Sequence, residues 1–158
     1  MDLVKNILAP TDLSPLSAKG LEYAGSLAKR IGAQLTVCHA VRTEEFVAHA
    51  RLLEKGSGNP RVEEQLRHLV DQHRELLHDF VNRHLRSANP DLVIAEIVEM
   101  GEPHRLIIDW VKPNDIDLIV MSTHGRSGLQ RVMLGSVTEK VLRNAHCPML
   151  VIPPEEKS

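Results

Sequence analysis

The chain alternates short β-forming apolar runs with segments of helical periodicity, and this alternation most restricts its fold. The predicted strands are "LVKNILAP", "AQLTVCHAV", "DLVIAEIVEM", "IDLIVM" and "CPMLVIP", with a helical pattern between each one and the next. Strands joined through helices form right-handed crossovers and a parallel sheet covered on both faces. The sequence therefore predicts an α/β fold in which residues 1–158 form a single domain around a five-stranded parallel sheet.

Helix boundaries are also visible in the sequence. The first helix is expected to begin after Ser14, a favourable N-cap, with Pro15 at its first position, and to end at Gly32. Apolar residues recurring every three or four positions predict a long helix over residues 61–86. Before it, the pattern dissolves and ends in "KGSGNP", so residues 42–60 are expected to form a flexible surface excursion.

Composition excludes several classes of function. A net charge of -2 provides no basic surface for a nucleic-acid backbone, so no nucleic-acid partner is expected. No segment approaches the roughly 20 apolar residues of a membrane span, and the N-terminus lacks a leader pattern, so the protein is expected in the cytoplasm, without a membrane partner. Cys38 and Cys147 lie within apolar runs, which favours core positions over a disulfide or a metal pair.

Two loops follow the carboxyl ends of predicted strands, where parallel sheets bind ligands. The first is "APTDLS" and the second is "STHGRSG". In the second, Gly125 and Gly128 allow close approach of the backbone to a ligand, and the helix beginning near Gly135 directs N–H groups toward negative charge. These features favour a phosphate, and the Ser136 hydroxyl could add a further hydrogen bond.

Positive charge near the second loop comes from Arg126 and Arg131. Two interpretations fit these residues: a phosphate site, or a helix cap and turn with solvated arginines. Neither a Walker A motif nor a G-x-G-x-x-G motif occurs in the chain. The familiar P-loop and dinucleotide signatures are therefore excluded, although other nucleotide sites are not.

Three segments, "ILAPTDLS", "VMSTHGRSG" and "LGSVTEKVLRNAHCPMLVIP", resemble the universal stress protein family, and the resemblance covers nearly the whole chain. It implies a Rossmann-like fold of the adenine nucleotide alpha hydrolase-like type. The ATP-binding branch of the family carries Gly, two residues, Gly, nine residues, then Gly with Ser or Thr. Gly125, Gly135 and Ser136 match this pattern, whereas Ser122 replaces the first glycine. Serine is the smallest polar replacement, and its hydroxyl could hydrogen-bond a nucleotide.

The same resemblance implies a set of site residues. Pro10, Thr11 and Asp12 would line the base and ribose side, Ala40 would meet adenine through its backbone, and Met121 would pack near the sugar. The remaining predicted site residues are Ser122, Gly125, Arg126, Gly128, Gly135 and Ser136. Asp12 has an alternative interpretation as an Asx-turn or helix-entry cap before Ser14.

The histidines do not form a metal-binding pattern. His68, His73 and His78 are spaced by five residues, which carries them around a helix rather than along one face, so most are expected to be solvated. His124 lies in the glycine-containing loop, where it either orients a phosphate or is a plain loop residue. No metal ligand and no catalytic residue is predicted.

Two functions fit the sequence. One is an ATP-binding regulatory protein of the stress response, with at most slow hydrolysis because no positioned base or lysine clamp is evident. Its expected cofactor is ATP, with or without Mg²⁺, and AMP and cyclic AMP are alternative ligands. The other is a nucleotide-free dimeric interaction module of the same family.

The last predicted strand, residues 147–153, is expected at an edge of the sheet. The family resemblance implies that two such edges join antiparallel in a homodimer. The alternative is a monomer whose edge is protected by Pro148, Pro153 and the charged tail.

Overall fold

Five parallel strands form one sheet in the computed structural model, which describes residues 3–42, 44, 47, 60–123 and 134–153. The strands are β1 (Asn6–Pro10), β2 (Gln34–Val41), β3 (Ile94–Met100), β4 (Leu118–Ser122) and β5 (Met149–Ile152). Their order across the sheet is β3-β2-β1-β4-β5. The chain runs from β1 toward one edge and then returns to the other side of β1, so the order reverses between β1 and β4. The predicted α/β fold with a five-stranded parallel sheet is confirmed.

Helices connect the strands and cover both faces of the sheet. They are α1 (Pro15–Ile31), α2 (Pro60–Val81), α3 (Pro103–Val111) and α4 (Ser136–Asn144). A π-helical turn, Asn82–Arg86, extends α2, so the two together match the predicted long helix. The Ser14 side chain accepts a hydrogen bond from the Ser17 N–H at 3.2 Å, and Gly32 is left-handed at φ 72°. Both predicted boundaries of α1 are therefore confirmed.

Two apolar layers sandwich the sheet. The α1 and α2 layer contains Ile7, Leu21, Ala24, Ala28, Val37, Leu77, Phe80 and Val81. The α3 and α4 layer contains Leu8, Cys38, Ile107, Trp110, Val111, Ile119 and Val141. Alternate residues of β1 and β2 enter opposite layers, which explains why these strands carry apolar side chains on both faces.

Both cysteines are free thiols, Cys38 buried and Cys147 half-buried, in agreement with their predicted packing role. β5 is shorter than predicted, although the Pro148 carbonyl still accepts from the Ile119 N–H at 3.0 Å. Most of the predicted excursion at 42–60 lies outside the described residues. Within the described part of the chain, no helix is long and apolar enough to cross a bilayer.

Candidate functional site

A cavity of about 480 Å³ opens at the carboxyl ends of the strands, where the strand order reverses. Parallel α/β sheets bind ligands at this position, and the volume lies within the range of small-molecule sites. The predicted site residues that the structure describes all line it: Pro10, Thr11, Asp12, Ala40, Met121, Ser122, Gly135 and Ser136. The other predicted residues, Gly125, Arg126 and Gly128, lie outside the described residues, as do Arg131 and His124.

One wall of the cavity is apolar. Cys38, Ile107, Trp110 and Met121 come from β2, α3 and β4 and belong to the same buried layer. Burial raises the pKa of the Cys38 thiol well above its usual range, and the negative charge of Glu99 adds to the effect. The thiol is therefore neutral at physiological pH. This wall suits a flat, uncharged group.

The loop after β1 is held in place by its own polar side chains. Asp12 Oδ1 accepts from the Ser14 N–H at 3.0 Å and from the Ser14 hydroxyl. Thr11 Oγ1 lies 2.7 Å from Ser17 Oγ and accepts from the Leu13 N–H at 3.0 Å. Leu13 is left-handed at φ 64°, a strained conformation that these hydrogen bonds help to maintain. The Asx-turn interpretation of Asp12 is thus confirmed, although the residue also lines the cavity.

Ser122 forms hydrogen bonds on the side of the sheet covered by α1. Its Oγ accepts from the Gly20 N–H at 3.0 Å and lies 3.5 Å from the Ser17 carbonyl oxygen. The Ser122 carbonyl oxygen accepts from Thr138 Oγ1 at 3.0 Å, which joins β4 to the first turn of α4. This hydroxyl, which the sequence made a potential hydrogen-bonding group for a nucleotide, bonds to α1 in this structure.

The N-terminus of α4 forms another part of the cavity wall. Gly135 is the N-cap residue, and its own N–H donates to the Thr123 carbonyl at 2.7 Å. Glycine has no side chain with which to cap the first-turn N–H groups, and the residues of this turn, Ser136 to Thr138, line the cavity. The helix dipole adds partial positive charge at this end. The arrangement suits an anionic group.

Two buried histidines beside the cavity were missed by sequence reasoning. His39 Nδ1 lies 2.9 Å from the Thr11 carbonyl oxygen, and His39 Nε2 lies 2.8 Å from His73 Nδ1. Their rings stack with centroids 5.0 Å apart, and both residues are buried. The expectation of solvated histidines is wrong for His73, although its neighbours His68 and His78 are exposed.

The sequence contained a signal for this pair. His73 falls on the inward spacing of α2 with Val70, Leu77 and Phe80, and His39 lies two residues after the inward-facing Val37 of β2. Two polar residues on inward positions can satisfy each other's hydrogen-bonding groups.

Among the described residues, no group of three or more His, Cys, Asp or Glu side chains is placed to hold a metal ion.

Comparisons with known proteins agree with this architecture. A model of the universal stress protein family matches residues 4–153. The universal stress protein MJ0531 of Methanocaldococcus jannaschii is 31% identical over 99% of this chain and 86% of its own length. The solved structure of MJ0577, from the same organism, has a TM-score of 0.78 at 21% identity and covers 99% of this chain and 100% of its own.

A universal stress protein solved in complex with cAMP has a TM-score of 0.66 at 19% identity, covering 98% of this chain and 100% of its own. At that identity the likeness concerns the fold alone. The family assignment depends instead on the family model, which spans nearly the whole chain, and on the relative that is 31% identical. The chain therefore belongs to the universal stress protein family.

Proposed function

We propose that the protein is a cytoplasmic ATP-binding regulator of the stress response, which binds ATP, with or without Mg²⁺, in the cavity between β1 and β4. The observation that carries this proposal is the pairing of an apolar wall with a helix N-terminus that only a glycine caps. These two environments suit the two ends of a nucleotide, a flat base and a chain of phosphates.

The chemistry of the described residues supports a placement for each part of the ligand. The base would lie against Trp110 and Ile107, close to the Ala40 backbone, while the Asp12 carboxylate would accept from the ribose hydroxyls. The phosphates would lie at the N-terminus of α4, beside Gly135 and Ser136. The relative solved with cAMP holds an adenine nucleotide, which supports this class of ligand.

Native mass spectrometry followed by calorimetry tests the proposal. Protein purified without added nucleotide is expected to carry an adenine nucleotide, and titration of the emptied protein with ATP, AMP, cyclic AMP and GTP ranks the ligands. We expect adenine nucleotides to bind and GTP to bind at least tenfold more weakly. Absence of binding heat at millimolar ATP and Mg²⁺ would remove the nucleotide function.

The second candidate is a nucleotide-free interaction module, favoured by the hydrogen bond of the Ser122 hydroxyl to α1.

In either case we propose a homodimer in which two β5 strands pair antiparallel across a two-fold axis. β5 is an edge strand, and all of its residues are only half-buried although they are apolar. An apolar edge of this kind is favourable for pairing.

A further inference from the structure

The geometry of the His39–His73 pair allows it to take up one proton beyond those of its neutral state. A carbonyl oxygen only accepts hydrogen bonds, so His39 Nδ1 carries a proton and donates to Thr11. In neutral His39 the Nε2 atom accepts, so His73 Nδ1 is then the donor across 2.8 Å.

One extra proton leaves both hydrogen bonds intact, because a single proton is enough between the two facing ring nitrogens. A second extra proton would set N–H against N–H and break the contact between the rings. The pair is therefore limited to one added positive charge. Hydrogen bonds that involve a charged donor are the stronger kind, whereas burial opposes the charge.

This charge would lie at the cavity. His39 is one of the residues that line the cavity, and its ring bonds to the carbonyl of Thr11, the neighbour of Asp12. The other described titratable groups lining the cavity, besides Cys38, are Asp12, Arg42 and Glu44. A phosphate at the N-terminus of α4 would add negative charge to the same cavity that His39 lines, and this would favour the protonated form of the pair.

Several charged groups on the surrounding elements form pairs with one another. On α2, Arg74 pairs with Asp71; on β3, Glu96 accepts from Arg86 and His78, and Glu99 accepts from Trp110; on α1, Glu22 pairs with His84. A bound anion would therefore add its charge to a cavity whose other described charged groups are Asp12, Arg42 and Glu44.

We propose that the His39–His73 pair takes up one proton when a nucleotide phosphate binds in the cavity, so that nucleotide affinity rises as the pH falls. This inference rests on the proposed nucleotide function and adds a proton as its regulator. Linkage of one proton changes the affinity by at most about tenfold per pH unit.

Calorimetry in buffers of different protonation enthalpy measures the protons taken up per ATP bound. Wild type is compared at pH 6.5 with the double variant His39→Gln, His73→Gln, whose amides can still hydrogen-bond but cannot titrate. His68→Gln is the matched control, since His68 is an exposed histidine on the same helix. The phosphates of ATP titrate equally in all three proteins, so the differences isolate the pair.

We expect wild type and His68→Gln to take up more protons per ATP than the double variant, by up to one proton. Adenosine, which carries no phosphate, should cause no such difference. Equal uptake in wild type and the double variant would overturn the proposal while leaving nucleotide binding intact. Absence of ATP binding by wild type would instead remove the proposed function, and this inference with it.

Nitrogen-15 NMR of labelled histidine rings gives a second measurement that needs no substitution. Addition of ATP should convert one of the two rings to the doubly protonated form at a pH where the free protein holds fewer protons. An unchanged protonation state of both rings on saturation with ATP would overturn the proposal even if the double variant fails to fold.

Discussion

The Gly20 N–H donates to Ser122 Oγ at 3.0 Å, and a Cβ built on Gly20 would lie only 2.7 Å from the Ser122 backbone nitrogen. Helix α1 therefore meets β4 backbone to backbone, with no space for a methyl group. This contact sets the distance between α1 and the strand that contributes Ser122 to the cavity.

Gly20→Ala is expected to destabilise the protein by about 1–3 kcal/mol, because the strand backbone has to move away from the added methyl group. Elsewhere in a helix, Gly to Ala stabilises by up to about 1 kcal/mol. Gly25→Ala is the comparison, since its Cβ would meet the side chains of Leu85 and Asn89 rather than a strand backbone. Urea unfolding measures both variants, and an equal or greater stability of Gly20→Ala would contradict this packing.

Substitutions in the cavity should weaken ATP binding by about tenfold or more. Gly135→Val places a branched side chain at the N-terminus of α4, where the phosphates are expected. Asp12→Asn removes the carboxylate charge and retains an acceptor for the Ser14 N–H, so it separates ligand contacts from the Asx turn better than Asp12→Ala does.

Calorimetry with ATP measures these affinities, and thermal unfolding checks that Asp12→Asn keeps its fold. Unchanged affinity in Gly135→Val would show that the phosphates do not approach α4.

Hydrolysis of ATP is expected to stay well below about 1 s⁻¹, the lower end of typical enzyme turnover. The described cavity residues include no lysine, and His39 is bonded to Thr11 and His73 rather than placed to activate water. Release of phosphate under single-turnover conditions measures the rate, with His124→Ala as the comparison. Fast hydrolysis that is lost in His124→Ala would identify a catalytic residue.

Val151→Pro is expected to convert a dimer into a monomer without breaking the sheet. The Pro148 and Ile152 carbonyls accept from the N–H groups of Ile119 in β4 and of Thr123 just after it. Even-numbered residues of β5 therefore direct their backbone groups toward β4, and the Val151 N–H points to the open edge. Proline at 151 removes only that outward donor.

Light scattering gives the mass in solution, and far-ultraviolet circular dichroism reports the fold. A wild-type mass of one chain at micromolar concentration would rule out the dimer, and a variant that remains dimeric would place the interface elsewhere.

Low pH should lower the stability of the folded protein partly through Asp117. Its Oδ2 accepts from the Lys5 and Asn6 N–H groups at 2.8 and 2.9 Å, and these hydrogen bonds, together with the Lys5 charge, lower the pKa of the carboxyl group. A pKa that is lower in the folded than in the unfolded state contributes stability above the unfolded value of about 3.9, and this contribution is lost as the pH falls through the folded value.

The difference in stability between wild type and Asp117→Asn should therefore be largest at neutral pH and shrink below about pH 4. Asp109→Asn, at an exposed position on α3, provides the comparison. A difference that stays constant from pH 7 to pH 3 would show that the lowered pKa does not contribute.

Features encoded locally could be predicted from the sequence. The caps at Ser14 and Gly32 depend on neighbouring residues. The five parallel strands, and the two loops that follow the carboxyl ends of β1 and β4, were predicted from a repeating period along the chain. The edge position of β5 was also predicted from its place at the end of the chain.

Features that depend on contacts between distant segments could not be predicted. The His39–His73 hydrogen bond joins residues 34 positions apart, and the Gly20–Ser122 hydrogen bond joins residues 102 positions apart. A single sequence shows that Gly20 and Ser122 are small and that His73 is polar, but the packing of α1 on β4 and of α2 on β2 decides what each one meets.

The position of β1 between β2 and β4 has a consequence for the newly synthesised chain. Folding begins from the N-terminal segments as they leave the ribosome. β1 can pair with β2 early, but its second edge stays open until β4 has been made, more than 100 residues later. About a third of the described residues that line the cavity, including Met121 and Ser136, arrive with that same late segment. A chain arrested before this point would therefore combine an unprotected apolar strand edge with an incomplete pocket, and its aggregation and its failure to retain ligand would have one common cause.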